Sequence, residues 1–244
     1  MMKKAILAVS FGTTHADAES ACIRPVEAAL AAAFPDWTVF RAWTSRIIAR
    51  RLKAQGIGIE SEDEALARLR NENWDRIAVV STHIIPGQEY DRLKAAAAPL
   101  PVSEPLLSCD DDLQWMAGLL DGIAERTGDT LLVMGHGTEH RANETYARLR
   151  DRLTARVRLA CVEGELGLDG ILDELDRLPE KRLTLMPLML VAGDHAKNDL
   201  AGEGEDSWKS RLTARGFEVT AKLVGLGSMA EVQERIVEKA RAIL

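Results

Sequence analysis

The 244-residue sequence has few cysteines, few aromatic residues and no long hydrophobic run. Cys22, Cys109 and Cys161 are far apart and lack CxxC spacing, so neither a disulfide framework nor a zinc knuckle is predicted. No run approaches the roughly 18 apolar residues that cross a bilayer, and the apolar run near the N-terminus meets Gly12 rather than a cleavage site. We therefore expect a cytoplasmic protein with reduced cysteines and no membrane partner.

Basic tracts and nucleotide-binding motifs are also missing. The chain has 38 acidic and 31 basic residues, a net charge of -7, and no cluster of lysine or arginine that would bind a nucleic acid. Neither GxxxxGK[ST] nor GxGxxG occurs, so we expect no nucleotide and no other organic cofactor. With 46% apolar residues the chain can bury a large core, in one large domain or two of ordinary size.

Short β-branched runs alternate with amphipathic stretches along the chain. This alternation predicts right-handed βαβ units, and hence an α/β fold in which each half has a roughly four-stranded parallel sheet flanked by helices. Two S-x-x-E capping boxes, at Ser61 and Ser228, are predicted to open helices. The predicted strands cover 5–9, 38–43, 77–80, 102–107, 130–135, 157–162, 183–190 and 218–224. The predicted helices cover about 17–34, 45–55, 61–73, 90–98, 110–126, 143–155, 168–178, 207–215 and the C-terminal segment.

The two halves resemble each other in sequence. The segment SFGTTH at 10–15 aligns with GHGTEH at 135–140, and HIIPGQE at 83–89 aligns with MLVAGDH at 189–195, each behind an apolar strand. We interpret this as an internal duplication with domains at 1–127 and 128–244. Packing of the last helix against the first domain is left open.

The stretch LLVMGHGTEH, at 131–140, predicts a fully buried strand that delivers His136 to a glycine-flanked turn. Ligands bind at the carboxyl edge of open α/β sheets, where the loops diverge. In the alignment His136 stands opposite Phe11, and His195 stands opposite Glu89. The second half therefore carries two histidines at strand ends, and Glu89 is a candidate to bring in metal or to remove protons.

Histidine at both positions suits metal chemistry. Neutral imidazole binds borderline divalent cations and can accept a proton near neutral pH. The alternative for an isolated histidine is packing beside a tight turn, but the paired placement at two strand ends favours a functional role.

Six motifs are spread along nearly the whole chain: SFGTTHAD at 10–17, TSRII at 44–48, HIIPGQEYDRL at 83–93, MGHGTEH at 134–140, VEG at 162–164 and PLMLVAGDHAKNDLAGEGEDSWKS at 187–210. Together they resemble the anaerobic sirohydrochlorin cobaltochelatases, in the class II chelatase family. The resemblance implies insertion of cobalt(II), as the substrate metal, into sirohydrochlorin, a precorrin-2-derived tetrapyrrole, early in cobalamin biosynthesis. It also implies two similar α/β domains with the site in the cleft between them.

Carried onto this sequence, the resemblance implies that His136, His195 and Glu163 are the metal ligands. Because VEGELG departs from the family's proline-containing continuation, Glu165 is an alternative acidic ligand. Two histidines and a carboxylate leave coordination positions of the metal open. Such a site suits a metal that is transferred to a substrate rather than held permanently. His136 and Glu89 are the expected catalytic groups.

On the substrate side, the carboxylates of sirohydrochlorin need positively charged or N–H donors. Arg46 is the best cationic candidate, whereas a solvated helix face explains Arg50 and Arg51 equally well. Backbone N–H groups at a helix start could meet a carboxylate, and Phe11 could lie against the macrocycle or in the core. The residues expected at this edge of the first half are Ser10, Phe11, Gly12 and Thr13. The remaining histidines, His15, His83 and His140, are assigned mainly to loop hydrogen bonds.

Three other functions stay open. The nearest alternative is the same chelatase chemistry with iron(II) or nickel(II). These ions bind the same types of ligand as cobalt(II) and differ from it in affinity. A metal or tetrapyrrole carrier without turnover is the second. A histidine phosphatase is the third, although no arginine precedes His136. The sequence also leaves open whether the chain forms a homo-oligomer.

Overall fold

The computed structural model describes residues 2–244 and has an α/β fold with two parallel sheets, which confirms the expected fold class. From the N-terminus the strands and helices are β1 (Lys4–Ser10), α1 (Ala16–Ala18), α2 (Arg24–Ala33), β2 (Thr38–Trp43), α3 (Arg46–Ala54), α4 (Glu62–Asn71), β3 (Arg76–Ser81), α5 (Gln88–Ala97) and α6 (Asp110–Thr127). They continue with β4 (Thr130–Gly135), α7 (Asn143–Arg150), β5 (Val157–Cys161), α8 (Leu172–Asp176), β6 (Arg182–Pro187), α9 (Trp208–Ala214), β7 (Glu218–Ala221) and α10 (Ala230–Arg241). No helix within residues 2–244 is long and apolar enough to cross a bilayer.

The first sheet has the order β2-β1-β3, with all strands parallel. Its central strand β1 is buried almost throughout, because helices cover both faces of a parallel sheet. Apolar side chains of β1 such as Leu7 and Val9 belong to one cluster with Leu66 of α4 and Leu93 of α5. The predicted capping box at Ser61 is present: the Ser61 side chain accepts from the Glu64 backbone N–H, and the Glu64 carboxylate accepts from that of Ser61.

The fourth strand predicted for the first half, at 102–107, is reduced to a single bridge between Val79 and Val102. Two backbone hydrogen bonds flank this bridge, one to the Pro101 carbonyl and one from the Ser103 N–H. Pro101 and Pro105 lack backbone N–H groups, so the segment cannot continue a hydrogen-bonded ladder. The first sheet therefore has three strands rather than about four.

The second sheet has the order β5-β4-β6-β7 and is also parallel. Its first three strands repeat the order of the first sheet, in which the earliest strand lies at the centre. The buried strand β4 packs through Leu132 and Met134 into a cluster with Trp208, Leu212 and Phe217. The predicted four strands are all present in this half.

The chain divides into two compact units, Met1–Leu106 with Gly227–Leu244, and Leu107–Leu226. The first unit therefore includes α10, which packs against α2, and the second includes α6. The predicted boundary at 127/128 instead places α6 in the first half, and the division into domains stays a prediction.

Two helical predictions need correction. The predicted helix at 17–34 contains a π-helical turn at Glu19–Ile23, so it is not a regular α-helix. The predicted capping box at Ser228 is replaced by an N-cap at Met229 that makes no side-chain cap. The reason is that Leu226–Ser228 forms a 3₁₀ turn, which starts α10 one residue later.

Candidate metal centre

The turn after β4 is built around two glycines that flank His136. A β-carbon on Gly135 would lie 2.9 Å from Cε1 of Tyr146, and one on Gly137 would lie 1.9 Å from the Glu163 carbonyl oxygen. Gly137 also has a φ of 80°, a left-handed conformation that favours glycine. The glycines therefore let the His136 backbone lie directly against the loop that carries Glu163, whose N–H donates to the His136 carbonyl at 2.9 Å.

The His136 side chain is 41% exposed, and its Nδ1 lies 2.9 Å from the Gly137 carbonyl oxygen. A carbonyl oxygen can only accept, so Nδ1 carries the proton and donates. In the neutral ring Nε2 then keeps a free lone pair. The backbone thus selects the tautomer of His136 that can bind a metal through Nε2.

His195 precedes a π-helical turn, Ala196–Leu200, in the loop that follows β6. Its Nδ1 lies 2.7 Å from Oδ2 of Asp199, and a carboxylate likewise forces Nδ1 to be the donor. Carboxylates that hydrogen bond the non-ligating nitrogen orient a metal-binding histidine and increase its basicity. Our sequence analysis missed Asp199, although the H-x-x-x-D spacing within a helical stretch signals such a pair.

The two histidine rings lie edge to face, with centroids 4.8 Å apart and an interplanar angle of 87°. Neither Nε2 atom has a hydrogen-bond partner among residues 2–244. Both side chains are partly exposed, 41% for His136 and 36% for His195. Two partly exposed imidazole rings from two different loops therefore lie close to each other, and neither Nε2 is bonded to another described residue.

Glu163 is the acidic group near this pair. Its Oε2 lies 3.9 Å from Nδ1 of His136, and its side chain is 57% exposed. Glu165 lies in the same exposed turn and makes no ion pair within the described residues. The geometry favours Glu163 over Glu165 as the third ligand, but does not test either assignment.

Within residues 2–244 no three His, Cys, Asp or Glu side chains already surround a common metal position. Glu163 faces the Nδ1 side of His136, whereas the free lone pair is on Nε2. Three-fold coordination would thus need a change of the exposed Glu163 rotamer.

The expected substrate-binding residues of the first unit separate into exposed and buried side chains. Phe11 is 44% exposed and Arg46 is 66% exposed, with an ion pair of 3.4 Å to Asp63. By contrast, Ser10 is buried and its hydroxyl accepts from Thr82, while Thr13 is buried and accepts from the His15 N–H. Neither of these two side chains is therefore available to a substrate.

Gly12 has a φ of 96°, and a β-carbon there would lie 2.7 Å from the ring of Trp43. This glycine is therefore needed for the turn that holds Phe11 outward. Glu89 lies in the first turn of α5, is 29% exposed and pairs with Arg92.

The remaining histidines make loop hydrogen bonds. His83 lies between two hydroxyls, with Nδ1 2.9 Å from Ser81 Oγ and Nε2 3.3 Å from Thr44 Oγ1. Burial lowers the pKa of His83 to about 4. His140 accepts from the Ala142 N–H through Nδ1 at 3.2 Å.

The chain thus has two α/β units, each with a parallel sheet, and the second carries the His136–His195 pair in loops after its strands, an arrangement that resembles chelatases in fold. A structure with this fold is known from Deinococcus radiodurans, described as a multi-domain protein with structural similarity to chelatases and two additional novel domains. It superposes with a TM-score of 0.56 at 14% identity, over 100% of this chain and 55% of that protein. This likeness concerns the fold alone.

The family model of the cobalt chelatases (CbiK) matches residues 4–244, and the chain belongs to that family. It is 39% identical to the sirohydrochlorin cobaltochelatase of Salmonella typhimurium, over 97% of this chain and 94% of that protein. It is 35% identical to the sirohydrochlorin cobaltochelatase CbiKC of Nitratidesulfovibrio vulgaris, over 92% of this chain and 85% of that protein. The family predicted from the sequence motifs is confirmed.

Proposed function

We propose that this protein inserts cobalt(II) into sirohydrochlorin in anaerobic cobalamin biosynthesis. Membership of the cobalt chelatase family and the names of the two relatives support the reaction. The observation that carries the site is the pair of free Nε2 atoms on His136 and His195, whose Nδ1 atoms are both occupied as donors.

His136 and His195 bind the incoming cobalt(II) through these nitrogens, and Glu163 supplies a compensating negative charge. Imidazole and carboxylate ligands hold such an ion without closing its coordination sphere, so the metal can be passed on. Asp199 positions His195 by holding its Nδ1–H.

Insertion replaces two pyrrole N–H protons by one dication, so two protons must leave the macrocycle. Each N–H bond breaks with its electron pair left on nitrogen, and that pair then binds the metal. Glu89 accepts protons on the first unit, and His136, once the metal has left it, accepts protons on the second. Because the metal arrives as an ion and no bond to phosphate is broken, the reaction requires neither a nucleotide nor another organic cofactor.

The tetrapyrrole binds through the carboxyl edge of the first sheet. The exposed ring of Phe11 contacts the macrocycle face, and Arg46 pairs with a substrate carboxylate. The backbone N–H groups of Ser10, Gly12 and Thr13 are further donors at this edge. Cys22, Cys109 and Cys161 are thiols rather than disulfides, which is compatible with a reducing cytoplasm.

The test is a multiple-turnover assay with protein, cobalt(II) and sirohydrochlorin alone, followed by the absorption change on metal insertion. We expect many equivalents of product per protein without any nucleotide. A change that stops at one equivalent would identify a carrier instead of an enzyme. Parallel rates with iron(II) and nickel(II) determine the preferred metal, and a higher rate with either ion would overturn the choice of cobalt.

A further inference from the structure

Glu62 is a buried carboxyl group that the proposed mechanism does not use. It is the first residue of α4 and only 2% exposed, yet its Oε2 atom has no hydrogen-bond partner in the described chain. A buried polar atom without a partner is destabilising, so such an atom indicates a missing proton, ligand or partner.

A second buried carboxylate oxygen without a partner belongs to Glu89. Its Oε2 atom is buried, whereas Arg92 contacts its other oxygen, Oε1. The side chain is nevertheless 29% exposed, so the exposed part does not include Oε2. Glu89 thus has one carboxylate oxygen, Oε1, that pairs with Arg92 and a second, Oε2, that is buried and lacks a hydrogen-bond donor.

Glu62 and Glu89 lie at the same edge of the first sheet. Ser61 bridges to Trp43 at the carboxyl end of β2, which places the start of α4 there, and α5 begins in the loop that follows β3. The helices α4 and α5 pack against each other. Phe11 and Arg46, the proposed substrate contacts, follow β1 and β2 at this edge too.

The charges around Glu62 favour its neutral form. Burial raises the pKa of Glu62, the carboxylates of Asp63 and Glu89 raise it further, and its own backbone N–H and Arg46 act in the opposite direction. Arg92 is paired with Oε1 of Glu89. A proton on Glu62 would turn its acceptor oxygen into a donor for Glu89, so one proton would satisfy both unpartnered atoms.

We propose that Glu62 is protonated in the working protein and donates a hydrogen bond to Oε2 of Glu89, which holds the Glu89 carboxylate as the acceptor for pyrrole protons. This inference rests on the proposed function. In each cycle a pyrrole N–H bond breaks, an O–H bond forms on Oε1 of Glu89, and this proton then passes to water. Glu62 keeps its own proton throughout, so it is a positioning residue rather than a catalytic one.

The decisive comparison is between Glu62→Gln and Glu62→Leu. Glutamine is neutral, has the same shape and retains a donor, so Glu62→Gln should keep kcat within about twofold. Leucine has no donor, so Glu62→Leu should lower kcat about 10-fold at an unchanged KM, the size expected for one hydrogen bond. Glu64→Gln is the control, because it makes the same substitution in the same helix turn, outside the Glu62–Glu89 pair, and glutamine retains the capping box.

The pH profile separates positioning from general packing. Ionisation of Glu62 would place a second negative charge beside Glu89 and remove the hydrogen bond, so wild-type kcat should fall on the alkaline side. The Glu62→Gln variant cannot ionise and should lack this alkaline limb. The proposal fails if Glu62→Gln is as damaging as Glu62→Leu, since a bound cation or an essential negative charge would then explain the site.

An infrared titration tests the proton without any substrate. The C=O stretch of a protonated carboxyl group should persist in the wild type and in Glu64→Gln at pH values where other carboxylates are ionised, and should be absent from Glu62→Gln. In Glu89→Gln the band should still be present but should disappear at a lower pH than in the wild type, because loss of the Glu89 charge lowers the pKa of Glu62. Absence of the band in active wild-type protein would overturn the inference.

These readouts also distinguish the inference from the proposed function. If the wild type shows the infrared band but inserts no cobalt, the proposed function fails and the protonation of Glu62 stands. If Glu62→Leu does not fold, the Glu89→Gln variant takes its place in the comparison. We expect kcat of Glu89→Gln to fall about 100-fold, whereas kcat of Glu62→Gln should remain nearly that of the wild type. Failure of the isosteric Glu62→Gln variant to fold would count against a neutral Glu62.

Discussion

The turns after β1 and β4 share features of backbone conformation but present different side chains. Gly12 and Gly137 both have a left-handed φ, of 96° and 80°. The hydroxyls of Thr13 and Thr138 each accept a hydrogen bond of 3.1 Å from the residue two positions later. Between strand and glycine, however, one turn presents Phe11 and the other His136.

The difference extends to how each unit uses its histidines. In the second unit, carbonyl and carboxylate acceptors occupy Nδ1 of His136 and His195 and leave Nε2 free. In the first unit, hydroxyls occupy both ring nitrogens of His83. The two units thus differ in whether these histidines keep an unbonded ring nitrogen, which supports the proposal that the second unit binds the metal.

The largest expected effect is loss of metal insertion on removal of either histidine that we propose as a metal ligand. His136→Ala and His195→Ala should each lower kcat at least about 100-fold, because no second imidazole can replace the lost ligand. Thermal unfolding should change little, since both side chains are partly exposed. His15→Ala, at the matching turn of the first unit, is the control and should insert cobalt nearly normally. A folded His15→Ala protein as inactive as His136→Ala would show that the two units are not specialised in this way.

The next effect concerns the carboxylate behind His195. Asp199→Asn removes the charge that selects and orients the ring, so cobalt(II) affinity should fall about 10- to 100-fold. Isothermal titration with cobalt(II) measures this directly. The exposed Glu203→Gln, with the same change of charge in the following loop, should bind cobalt like the wild type. Equal affinities of Asp199→Asn and wild type would remove Asp199 from the site.

A smaller effect should follow substitution of the aromatic residue of the first unit. Phe11→Ala removes an exposed ring and should raise KM for sirohydrochlorin about 10-fold while kcat changes little. The measurement is steady-state kinetics at saturating cobalt(II), with cobalt affinity as the control. A reduced cobalt affinity in Phe11→Ala would contradict the assignment of metal binding to the second unit.

The smallest effect on activity, and the clearest on stability, concerns His83. Its pKa is lowered to about 4 by burial, so the unfolded chain, with an imidazole pKa of about 6.5, binds more protons between these values. The free energy of unfolding should therefore be highest above pH 6.5 and fall by about 2 kcal/mol as the pH drops towards 4. His83→Gln keeps hydrogen-bonding groups but cannot titrate, and denaturant unfolding across this range should show a flatter dependence. An unchanged slope in this variant would exclude His83 as the source.

Much of this architecture could be predicted from local patterns. The buried runs of β1 and β4, the capping box at Ser61 and the placement of His136 after its strand all depend on residues a few positions apart. The missing fourth strand of the first sheet is an instructive failure, because its apolar residues indicated a strand while Pro101 and Pro105 prevented a ladder.

The sequence by itself determined the fold class, the family and the presence of His136 and His195. Only the tertiary structure decided which nitrogen of His136 is free, the burial of both Glu62 and one oxygen of Glu89, and the loss of exposure at His83. Periodicity and capping arise between neighbours in the chain, so they can be read from it directly. Tautomers, desolvation and unpartnered oxygens depend on which distant residues the fold brings together, and composition or spacing alone does not contain that information.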